Sequence, residues 1–169
     1  VSDGPHTVQL AITSDAWVFQ LHDPQCRTIV AQLLAAPEHL KAGFGLGDDR
    51  KRIIAKLGVT PEGVVELNTV FRERGYRKDM GVKAAIAVLF HRRFLKSNKA
   101  ATSNWAAPRL SESQLAYAAH DAWAALCAVH TESGDGATAQ AVLAQGLAIS
   151  PQHPGLNIEA ARRERQRGD

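Results

Sequence analysis

The chain has 169 residues, a formal net charge of +3, 45% hydrophobic residues and two cysteines. That length suits one domain, or one domain with an appendage, and buries a sizeable core without disulfides. There is no long apolar run, which excludes a membrane-spanning helix, and there is no signal-peptide pattern behind Val1. Cys26 and Cys127 show no metal-ligand spacing, and two isolated thiols fit a reducing, cytoplasmic compartment.

Residues 7–12 alternate, with Val8, Leu10 and Ile12 on one face, and residues 16–21 alternate through Trp17, Phe19 and Leu21. With polar Thr13-Ser14-Asp15 between them, the two runs predict a β-hairpin with one buried face. Residues 25–35 show helical spacing through Ile29, Val30, Leu33 and Leu34, and Pro37 helps stop that helix. Residues 39–46 are short, apolar and glycine-bearing, and read as a strand running into a turn. Asp48 and Asp49 precede a helix over 50–57 faced by Ile53, Ile54 and Leu57, and Gly58 ends it. A carboxylate at a helix start meets unpaired backbone N–H groups. Residues 64–70 read as a strand, and the charged stretch to Asp79 as a loop or helix start. Residues 82–94 predict a helix, with Val82, Ile86, Leu89, Phe90 and Phe94 near one face; residues 96–109 predict a structured loop. A Ser-Glu-Ser-Gln start and an apolar run place a helix over 113–130. Ser133-Gly134-Asp135-Gly136 then breaks the chain before a helix over 138–149, a proline-bearing turn over 150–154 and a charged helix over 156–167. Strands mixed with helices indicate an α/β layer structure, with the tail beyond it.

Tyr117 and Asp121 are four residues apart, so on a helix they share a face. A phenol and a carboxylate so placed can serve a bound metal and the water beside it. Basic clusters lie at 50–52, 72–78 and 91–99. The ordinary fate of such runs is a solvated face; the sharper reading is a phosphate-tracking surface using Arg92, Arg93, Lys96 and Lys99. The histidines form no ligand spacing.

Gly43-Phe44-Gly45-Leu46-Gly47-Asp48-Asp49, Lys96-Ser97, Ser103-Asn104-Trp105 and the run from 110 to 122 occur in an order that resembles the DEDD 3'-5' exonucleases. The branch with a Tyr-x-x-x-Asp third motif, the RNase D and Werner-type group, is the most similar, over about residues 7–131. The resemblance implies a ribonuclease H-like fold, a mixed β-sheet flanked by helices. It also implies two divalent metals, Mg²⁺ or Mn²⁺, held by four acidic residues, and the 3' end of DNA or RNA as partner. Two hard cations roughly 4 Å apart can activate water on one side of a phosphodiester and steady the leaving oxygen on the other. Carried over, Asp49 matches the second-motif ligand, with Asp48 its adjacent competitor; Asp121 matches the third-motif ligand, and Tyr117 the residue that orients the attacking water.

The group's first motif, Asp-x-Glu on a central strand, has no counterpart before the strand at 7–12, and Asp3 does not supply one. Two of four expected ligands are therefore missing, and the 169-residue chain alone is expected to be inactive. Residues 1–132 form the exonuclease-like unit, N-terminally incomplete, and residues 133–169 a helical tail. Ala139, Leu143, Gly146, Leu147, Pro151 and Pro154 make that tail similar to half a tetratricopeptide repeat, which either packs on the first unit or opens a longer array. Two other readings stand beside the enzyme: a non-catalytic nucleic-acid-binding or scaffold domain, and a protein-interaction module through the tail.

Overall fold

The computed structural model describes residues 4–94 and 97–149. Strands β1 (Thr7–Ala11) and β2 (Ala16–Gln20) form an antiparallel hairpin in which Val8 pairs Phe19 and Leu10 pairs Trp17. Ile12 N–H closes its turn on the Asp15 carbonyl at 2.9 Å. Helix α1 (Pro24–Ala35) starts under a side-chain cap, the Asp23 carboxylate accepting Gln25 N–H at 2.7 Å. Strand β3 (Lys41–Gly43) leads into α2 (Leu46–Leu57), and β4 (Val64–Glu66) pairs parallel to β3, Gly43 opposite Glu66. Then come α3 (Leu67–Glu73), α4 (Gly81–Phe90), α5 (Asn98–Ala101), α6 (Glu112–Glu132) and α7 (Gly136–Ile149). Among the described residues the strands form two two-stranded sheets, β1-β2 and β3-β4.

α6 organises this arrangement. It packs against β1, β2, β3, α4, α5 and α7. Ala118, Ala119, Trp123, Ala124, Ala125, Cys127 and Ala128 are all buried on it. Those positions run round most of the helix, which marks a central helix rather than a surface one. Five of the seven are alanines, so neighbouring elements can approach closely. Ile86 of α4 and Val142 of α7 join Trp123 and Cys127 in one apolar cluster.

The hairpin is covered on both faces, not on one. Val8 and Phe19 pack on Leu21, Val30 and Leu34, on the side of α1. Ala11 and Ala16 pack on the cluster built around α6. Two small side chains on the second face admit the Trp123 indole, whose Nε1 donates to the Ile12 carbonyl at 3.2 Å.

Helix α2 starts at Leu46, four residues ahead of the expected 50, so Asp48 and Asp49 lie inside it, and three further elements differ from the sequence expectation. The strand expected over 64–70 stops at Glu66, and helix α3 begins at Leu67. The Glu66 carboxylate accepts Asn68 N–H at 3.0 Å and so starts a helix. Leu67, Val70 and Phe71 have i, i+3, i+4 spacing, which serves a helix. The helix expected over 82–94 ends at Phe90, where His91 turns into the left-handed region at φ 51°. Within the loop expected over 96–109, Ser97 Oγ accepts Ala100 N–H at 3.2 Å and caps the short α5.

In the tail, α7 lies against α6, with Ala139 and Val142 fully buried. The Asp135 carboxylate caps it by accepting Thr138 N–H at 3.0 Å; hydrogen bonds from Thr138 hold that carboxyl below its usual range. The turn and helix expected over 150–167 lie outside the described residues. No helix among the described residues is long and apolar enough to cross a membrane.

Burial pushes the Cys127 thiol up to about 12, from 9.0. The neutral thiol is thus the folded form. Its stabilising contribution is complete below pH 9.0 and is lost progressively as pH rises toward 12. Iodoacetamide at pH 8 is expected to modify the part-exposed Cys26 and spare Cys127 until urea unfolds the chain, as peptide mass mapping would read. Equal native labelling of both would contradict this packing.

Candidate active site

The start of α6 is fixed by a reciprocal pair of bonds. Ser111 Oγ accepts Gln114 N–H at 3.3 Å, and Gln114 Oε1 accepts Ser111 N–H at 2.9 Å. The Gln114 amide is buried, and its Nε2 donates to Ser103 Oγ at 2.9 Å and to the Asn104 carbonyl at 3.1 Å. Gln20 of β2 donates to the Ala107 carbonyl at 3.0 Å. The loop between α5 and α6 is thereby tied to both the helix and the hairpin. It holds Trp105 beside Tyr117, with ring centroids 5.9 Å apart and planes inclined at 55°.

Tyr117 and Asp121 sit one turn apart on α6, both half-buried, with Asp121 Oδ1 out of contact with solvent. Ala125 and Ala128 continue along the same helix and meet Leu67, with Phe44 packed against them. Phe44 immediately precedes Gly45, which caps α2. This contact anchors the residue just before the α2 cap on α6. Asp48 and Asp49 lie in the first turn of α2, both exposed. Asp48 turns toward Lys51 at 3.6 Å, an exposed pair worth little energetically.

The structure thus pairs Tyr117 with Asp121 on one helix and puts Asp49 at the mouth of another. Their oxygen donors suit a hard divalent cation in kind. In number they fall short of a two-metal centre: among the described residues, no three His, Cys, Asp or Glu side chains gather to hold a metal ion. Of the basic candidates, half-buried Arg92 and exposed Arg93 lie on the segment joining α4 to α5, and Lys99 is exposed within α5; Lys96 lies outside the described residues. A surface groove of about 450 Å³ between α1 and α2, walled by Arg27, Gln32, Lys56 and Leu57, shares no residue with the Tyr117–Asp121 face.

Sequence reasoning missed Glu66. Its carboxylate accepts backbone N–H groups from Gly45 at 2.9 Å and Leu46 at 2.7 Å, 21 and 20 residues away. Nothing in a strand-like Val-Val-Glu-Leu signals that reach. A helical reading of 67–71 would at least have marked Glu66 as a cap.

A family model described as 3'-5' exonuclease matches residues 6–131. A 3'-5' exonuclease of Arabidopsis thaliana is 28% identical over 123 residues, 70% of this chain and 42% of that protein. The chain therefore spans less than half the length of that relative. Among solved structures, the RNase D of Trypanosoma brucei is similar with a TM-score of 0.67 at 21% identity, covering 83% of this chain and 58% of that one. A nuclease solved in its apo form is similar with a TM-score of 0.62 at 21% identity, covering 92% and 75% respectively. These likenesses establish a ribonuclease H-like α/β fold. The matched span contains Asp49, Trp105, Tyr117 and Asp121, and the chain belongs to the DEDD 3'-5' exonuclease family.

Proposed function

We propose that the intact protein is a metal-dependent 3'-5' exonuclease that removes nucleoside monophosphates from a nucleic-acid 3' end. The observation that supports this most is the Tyr117–Asp121 pair on α6, braced by Trp105, within a chain of this family. In this reading Asp121 and Asp49 would hold a hard divalent cation, Mg²⁺ or Mn²⁺. The two carboxylates still needed would come from an Asp-x-Glu strand, for which β1 and β3 each have one paired neighbour among the described residues. When bound, two such cations neutralise the charge that builds on the phosphorus oxygens and the leaving 3' oxygen. The chain's own groups do the positioning. The Tyr117 hydroxyl holds the attacking water in line, a role that suits a phenol better than that of a strong base. Exposed Arg93 and Lys99, with Arg92 and Lys96, would guide the phosphate backbone.

A second reading, a domain that binds nucleic acid without cleaving it, is favoured by the absence of a three-ligand cluster among the described residues. One assay separates the two. The intact protein is incubated with a 5'-labelled single-stranded oligonucleotide in 5 mM Mn²⁺ or in excess chelator. A ladder shortening from the 3' end with Mn²⁺ alone is the expected result. Tight binding with no shortening would establish the second reading instead. This 169-residue chain alone is expected to leave the oligonucleotide intact.

A further inference from the structure

We infer that Glu66 is a positioning residue for the α2 carboxylates, which rests on the exonuclease reading above. Helix α2 has no side-chain cap of its own: its N-cap is Gly45, in the left-handed region at φ 68°. The first backbone N–H groups of a helix have no partner within it. Here two of them, on Gly45 and Leu46, are taken by the two oxygens of Glu66, at 2.9 and 2.7 Å. Glu66 is held in place from its own side. It pairs with Gly43 across the parallel β3-β4 ladder, and its Oε1 also accepts Asn68 N–H at 3.0 Å at the head of α3.

One carboxylate therefore closes the N-termini of two helices and locks the start of α2 to β4, the strand paired beside β3. Asp48 and Asp49 lie in the first turn of α2, so their place relative to α6 is set through this lock. With both oxygens engaged by backbone donors, Glu66 acts by holding α2 rather than as a ligand. An amide cannot substitute. Its NH₂ would face a backbone N–H, and one of the two N-terminal groups of α2 would lose its acceptor.

The test uses the intact protein with Glu66→Gln, Glu66→Asp and, as control, Asp23→Ala, which removes the cap of α1. Far-UV circular dichroism confirms that each folds. E66Q is expected to raise the Mn²⁺ concentration for half-maximal rate by about tenfold or more, the scale on which groups that orient metal ligands act. KM for the oligonucleotide is expected to change little. E66D, which keeps the charge with a shorter reach, is expected to fall between E66Q and wild type. Asp23→Ala lowers the melting temperature but leaves the Mn²⁺ dependence unchanged. An E66Q profile like that of Asp23→Ala would overturn the inference, as would an E66D no better than E66Q. A second arm needs no activity: amide exchange measured by NMR in chelator is expected to speed up at Gly45 and Leu46 in E66Q. Unchanged protection there overturns the inference on its own. Lost protection in a protein that cleaves nothing would sustain the lock while refuting the exonuclease reading.

Discussion

Asp121→Ala is expected to lower 3'-end nucleotide release by about 10²–10³-fold or more, the scale of removing one preorganised transition-state stabiliser. Asp121 is half-buried on the central helix α6, with Oδ1 out of contact with solvent. In the proposed reading, a carboxylate so placed would meet a cation with little water between them, and solvent would not repair its loss. Tyr117→Phe makes a narrower change. The ring stays against Trp105, at 5.9 Å, and only the hydroxyl leaves. A mispositioned water costs about 10²-fold, so Tyr117→Phe is expected to lose rate with KM nearly unchanged. Initial rates at saturating oligonucleotide, with Mn²⁺ in excess, measure both. Unchanged rates in the two variants would reject the assignment of α6 as the catalytic helix.

The parts of the fold that sequence resolved are those where pattern and neighbours agree. The β1-β2 alternation, the spacing of α1 and the Ser111–Gln114 start of α6 are local signals, and the structure keeps them. The parts it misassigned turn on contacts from far along the chain or on a single backbone angle. Val64-Val65-Glu66-Leu67 has strand composition, yet the Glu66 carboxylate switches the chain to helix one residue later. Phe94 continues the apolar face of α4 in sequence, yet His91 breaks the helix before it is reached. The candidate site divides in the same way. Tyr117 and Asp121 are legible because a four-residue helical spacing is local. How Asp49 stands to them depends on Phe44 packing on Ala125 and Ala128 and on Glu66 reaching α2, and no window of sequence contains those contacts.

Trp123→Ala is expected to be the most damaging substitution for stability, at about 3–5 kcal/mol for a buried aromatic residue cut to a methyl group. Trp123 is 4% exposed and shares a cluster with Ile86 of α4 and Val142 of α7. Its Nε1 is also bonded to the Ile12 carbonyl of the hairpin. Three elements thus lose a common partner together. Trp123→Phe keeps most of the apolar contact and gives up the hydrogen bond, which is worth about 1 kcal/mol. Its cost is therefore expected to be well under half that of the alanine variant. Urea unfolding followed by circular dichroism at 25 °C reads both, and similar midpoints for the two would place the weight on the hydrogen bond instead of the packing. Trp123 lies two residues beyond Asp121, and the distinction between the two roles is thermal. A Trp123→Ala enzyme that has merely lost stability recovers its rate on cooling, within the range where it refolds. Under the proposed assignment, an Asp121→Ala enzyme is expected not to recover at any temperature, its fold being intact and the missing group one that the chemistry needs.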